Sequence, residues 1–152
     1  MLNFLYYAHS GLRWILVLAV LAALGFMIFS LVTKREQDRA TRIIMVTFSS
    51  LVGVQWVLGM LYYVVIGSNF GEWNLRNQAT HAAVMTGALV VAHLYLPFRK
   101  RASNQIYYAA SVGIVIVTTV FLVWGVATLL PGGGLFPADR WSFAPNYTLG
   151  GG

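Results

Sequence analysis

Four long apolar runs, separated by short polar loops, constrain this chain more than any other feature. The first, residues 14–32, is uninterrupted and ends at Lys34-Arg35. A membrane-crossing helix needs about 20 predominantly apolar residues, and the length leaves room for about four such spans. The sequence predicts spans at about 11–32, 43–66, 79–96 and 106–130. Only 9% of the 152 residues are charged, 59% are hydrophobic, and the mean hydropathy is +0.72. A soluble domain would carry about 25% charged residues. The expected fold class is therefore an all-α integral membrane protein, a four-transmembrane-helix up-and-down bundle occupying 1–130.

The loops complete this reading. Residues 34–42 are polar, with four basic and two acidic side chains, and Pro97 with Arg99-Lys100-Arg101 is expected to end the third span. Lys34, Arg35, Arg39, Arg42, Arg99, Lys100 and Arg101 share one side of the predicted bundle, against Arg13, Arg76 and Arg140 on the other. Basic loops stay in the cytoplasm, so both termini are expected outside. Trp14, Tyr62, Tyr63 and Trp73 then fall near the outer interface, and Tyr107 and Tyr108 near the inner one, where aromatic belts form. The net charge of +6 is explained by this topology and by anionic lipid headgroups. No basic face or motif points to nucleic acid.

The N-terminal residues lack the positive n-region of a signal peptide, and the first run ends in basic residues instead of a small-residue cleavage site. It reads as a retained span whose helix can begin earlier than residue 11. Residues 131–152 form a Gly/Pro/aromatic outer tail. Phe136, Trp141, Phe143 and Tyr147 are expected to lie on a partner, and Asn146-Tyr147-Thr148 matches a short glycosylation pattern. With no cysteine in the chain, thiolate metal sites, iron–sulfur clusters and disulfides are excluded. No paired carboxylates, nucleophile–base pair or phosphate-binding glycine loop suggests catalysis, and no metal site is expected.

The third run opens on His81 and closes near His93. Ala79, Ala83 and Gly87 are spaced by four, as are Ala88 and Ala92, a spacing that lets helices approach closely in lipid. This span is expected to be the packed central helix. The histidines are the main chemical question, because intramembrane ionisable groups are functional candidates by default. Haem b takes two axial ligands on facing helices at similar depth, and His81 with His9 is the candidate pair. His9 lies 25 residues from Lys34 and His81 lies 18 from Arg99, giving about 37 and 27 Å of helix. That is a mismatch of about 10 Å. His81 and His93 lie about 18 Å apart on one helix and cannot share an iron. His93 is the candidate for a quinone or lipid contact, and interhelical hydrogen bonding is the alternative for all three. Gln55, in the second span, is expected to bond across to a neighbouring helix. Arg13, four residues from His9, is expected to join a polar cluster with Glu72, or to reach the headgroups.

The segment His9-Ser10-Gly11-Leu12-Arg13-Trp14 resembles the start of small bacterial four-helix membrane proteins often labelled cytochrome b-like. The resemblance continues at Gln55-Trp56-Val57-Leu58-Gly59-Met60-Leu61-Tyr62-Tyr63, at His81 with Met85, and at His93 before the basic cluster. It covers the first three spans. It implies a multi-pass protein of the bacterial inner membrane near respiratory or photosynthetic electron transfer. In architecture the chain is also similar to accessory subunits of quinol-oxidising assemblies such as alternative complex III. Two functions follow: a small accessory subunit that packs against partner membrane subunits and lipid, or a haem b-carrying redox subunit or quinone-site contributor. Four spans without paired midplane charges give a transporter little to work with.

Overall fold

A computed structural model of the chain describes residues 2–66 and 72–128. They form five helices: α1 (Leu2–Val32), α2 (Arg39–Ile66), α3 (Glu72–His93), α4 (Tyr95–Arg101) and α5 (Asn104–Ala127). No strand occurs among the described residues. Four stretches are long and apolar enough to cross a membrane: Tyr7–Val32, Arg39–Val65, Asn77–Arg101 and Asn104–Ala127. The outer tail at 131–152, with its aromatic residues and glycosylation pattern, lies outside the described residues, as do residues 67–71.

Helix ends follow local chemistry that apolar periodicity does not report. α1 ends in a Schellman motif: Arg35 N donates to Ser30 O at 3.0 Å and Lys34 N to Leu31 O at 3.3 Å. The motif puts Lys34 at φ 52°, a left-handed conformation that normally falls to glycine. α2 starts inside the expected loop because Asp38 caps it. Its Oδ1 accepts from Thr41 N at 2.8 Å and from Thr41 Oγ1 at 2.9 Å. Pro97 does not end the third span. The helix breaks one turn earlier, at Leu94, and restarts as α4 with Pro97 in its first turn, where a missing N–H costs nothing. α5 begins at Asn104, capped by the Ser103 hydroxyl, which accepts from Ile106 N.

The spanning helices pack in a ring, α1 against α2, α2 against α3, α3 against α5, and α5 against α1. The expectation that the third span is central is therefore corrected: α3 has two neighbours, like the others. Its small residues divide between faces. Ala88 and Ala92 are fully buried, whereas Ala79 and Ala83 face outward. Met27, Met45, Phe48 and Val115 fill the middle. Tyr107 and Tyr108 do not form an outward belt; both are buried in the bundle. The Tyr108 hydroxyl donates to Glu36 O at 3.0 Å and lies 3.0 Å from Thr41 Oγ1. One side chain thus ties the α1–α2 turn to α5. Large apolar side chains such as Leu18, Val32 and Val64 are two-thirds or more exposed, an outer surface suited to lipid or to other apolar helices.

Candidate functional site

The polar residues of the opposite end gather around His9 and His81. Gln55 of α2 donates through Nε2 to the backbone oxygen of His9 at 3.0 Å, and the same nitrogen lies 3.4 Å from His9 Nε2. An amide nitrogen only donates. His9 Nε2 therefore faces a donor at the limit of hydrogen-bond length, while its Nδ1 is buried with no hydrogen-bond partner. Gly59 makes room for the ring: a Cβ there would stand 2.9 Å from His9 Cε1. Gln55 thus bonds across helices as expected.

On the other side of the layer, His81 Nδ1 lies 2.6 Å from the backbone oxygen of Gly125. A carbonyl only accepts, so Nδ1 carries the proton and Nε2 keeps the lone pair. The terminal methyl of Met85 occupies the space that a Cβ of Gly125 would need. Gly59 thus accommodates the His9 ring, and Gly125 the end of the Met85 side chain.

The two histidines are closer in depth than counting residues suggests. Trp56 Nε1 donates to Thr86 Oγ1 at 3.0 Å, which registers α2 against α3. By that register the Gln55–Gly59 segment beneath His9 lies beside residues 83–87. His9 is then about one turn, roughly 5 Å, from the level of His81. The expected mismatch of about 10 Å is reduced partly because Lys34 and Arg99 are not equivalent origins. Lys34 lies just past the end of α1, whereas Arg99 lies inside α4.

Arg13 joins this layer. It lies one turn from His9 on α1, and its guanidinium lies 6.0 Å from the centre of the Trp14 ring. Glu72 begins α3, but its side chain, and hence the expected Arg13–Glu72 contact, lies outside the described residues. His93 belongs elsewhere. Its Nδ1 lies 2.9 Å from Leu89 O on its own helix, and it borders an open, mainly apolar groove of about 870 Å³ between α2 and α3, with Ser50, Gly53 and Val57.

A bis-histidine haem needs two imidazole lone pairs facing one iron. His81 keeps a lone pair on Nε2, since its Nδ1 is engaged by Gly125 O. The His9 Nε2 edge is instead covered by the Gln55 amide, and the ring is packed against Gly59. The pair as packed does not fit haem. Among the described residues no three His, Asp or Glu side chains are grouped to hold a metal ion.

Fold and site together define a ring of four helices of membrane-spanning length with a polar layer of histidine and glutamine near one end. No known family, curated protein or solved structure matches the chain.

Proposed function

We propose that the chain is a small accessory subunit of a bacterial respiratory or photosynthetic electron-transfer complex. It sits in the inner membrane, with its basic end in the cytoplasm and both termini outside. It works by packing against partner subunits and lipid. The observation that carries this reading is the division of labour in the bundle. Buried polar groups of the histidine layer are turned on neighbouring helices, His9 with Gln55 and His81 with Gly125. Meanwhile only 22–28% of the most apolar window of each span is buried. The remaining residues of each span are partly or largely exposed, among them Leu18, Val64, Val90 and Val120, an apolar surface open to lipid or other helices. The resemblance at His9-Ser10-Gly11-Leu12-Arg13-Trp14 supports the electron-transfer setting.

A haem b subunit is the second reading, and the lone pair on His81 Nε2 favours it. Purification of the tagged chain from its native membranes in mild detergent tests the first. Co-purification of a quinol-oxidising assembly, with its activity, is the expected result. Recovery of the chain alone from membranes where that assembly is intact refutes it.

A further inference from the structure

At the basic end of the bundle a hollow of about 410 Å³ opens between the start of α2 and the α4–α5 corner. Arg39 and Arg42 line it from α2, Arg99 from α4, and Tyr107 from α5. These segments are almost 60 residues apart in sequence, and the fold brings three guanidinium groups onto one cavity. The corner is built to hold them. Tyr108 bonds both Thr41 and the Glu36 backbone, which fixes the first turn of α2 against α5. One carboxylate, Asp38, also borders the hollow. It is already engaged by Thr41 and by the guanidinium of Arg35, the one ion pair among the described residues. Arg39, Arg42 and Arg99 therefore present charge that no described carboxylate answers.

We infer that this hollow binds a phosphate group, supplied by the headgroup of an anionic membrane lipid. Guanidinium groups pair with phosphate oxygens in bidentate geometry, and a basic pocket between the ends of spanning helices is where anionic headgroups bind. The surroundings select a lipid over a soluble anion. The hollow lies at the ends of helices of membrane-spanning length, and Ile43 and Ile106, each about half exposed, leave apolar surface for acyl chains at that same end of the bundle. The inference rests on the four helices spanning a membrane and is independent of the electron-transfer role.

The full chain in neutral-detergent micelles, titrated with dioleoyl phosphatidylglycerol and read by native mass spectrometry of retained lipid, tests it. Each arginine near a headgroup is worth roughly fivefold in affinity. The triple variant R39Q/R42Q/R99Q is therefore expected to bind about 100-fold more weakly. K34Q/K100Q/R101Q removes equal charge from the same end outside the hollow and is expected to bind nearly as the native chain does. An equal loss in both variants shows diffuse attraction and overturns the site. So does equal retention of dioleoyl phosphatidylcholine. Displacement of the lipid by millimolar inorganic phosphate overturns the lipid assignment in favour of a soluble anion. If circular dichroism shows the triple variant unfolded, Arg42→Gln alone is expected to lose roughly fivefold, and Arg42→Lys to recover part of it. No loss in Arg42→Gln refutes the site.

Discussion

Gly87→Ala is the substitution for which the structure gives the sharpest expectation. A Cβ at position 87 would stand 2.7 Å from Cε1 and 3.1 Å from Cδ1 of Phe121. Carbon atoms in contact prefer about 3.5–4.0 Å, so the overlap approaches 1 Å against the edge of a rigid ring. Phe121 itself packs against Trp124, with ring centres 6.0 Å apart, and α3 and α5 must separate or the ring must leave its rotamer. Overpacking of this kind costs about 1–3 kcal/mol, against about 0.5–1 kcal/mol gained from replacing a helical glycine. The expected net loss is between about 0 and 2.5 kcal/mol, centred near 1. Two other glycines serve as controls. At Gly125 the obstructing atom is the free end of the Met85 side chain, which can move, so Gly125→Ala should cost less. At Gly113 nothing lies within 4 Å of the added carbon, so Gly113→Ala should be neutral or stabilising by up to about 1 kcal/mol. Reversible unfolding in mixed detergent micelles, followed by far-ultraviolet circular dichroism, orders the three. Gly87→Ala matching Gly113→Ala in stability would falsify the α3–α5 packing described above.

Three further outcomes are expected at the α1–α2 corner. Tyr108→Phe removes a buried hydroxyl that serves both Thr41 and the Glu36 carbonyl and should cost about 1–3 kcal/mol, measured by the same unfolding assay. Lys34→Gly relieves a left-handed conformation and should stabilise by about 1 kcal/mol; a loss of stability would speak against the Schellman turn. Asp38 gives a pH signature. Hydrogen bonds from the Thr41 backbone and hydroxyl, then Arg35, hold its carboxyl down at about 2. Its contribution is full above the ordinary aspartate value near 4 and is lost as pH falls from there through about 2. Asp38→Asn should remove that part of the acid dependence, and an unchanged acid profile would show that Asp38 contributes none.

The spans were readable from sequence because run length and charge scarcity alone decide whether a helix can cross a bilayer. What lay at their ends was not. Asp38 and Thr41 start α2 by a cap hidden among loop residues, and Pro97 reads as a stop until the break at Leu94 places it in a first turn. Spacing showed that α3 carries small residues, yet Ala79, Ala83, Ala88 and Ala92 face different ways, and only the neighbouring helices decide which are buried. Tyr107 and Tyr108 stand near the basic end of α5 but turn inward, where the Tyr108 hydroxyl finds partners. His9 and His81 were legible as candidates, and Gln55 as an interhelical donor. Their geometry depended on Gly59, Gly125 and Met85, whose roles are set by side chains on other helices. The arginine-lined hollow was invisible because its members come from distant segments that only the ring of helices brings together.

An accessory role requires the histidine layer to be helix-to-helix structure and not a ligand set. The most direct measurement is a reduced-minus-oxidised absorption spectrum, with a pyridine haemochrome assay, of the chain expressed alone in a haem-replete host and shown to be helical. The expected result is a blank spectrum from folded protein, with Gln55→Leu lowering stability because His9 loses its partner. A stoichiometric haem b signal that disappears in His81→Ala would contradict it.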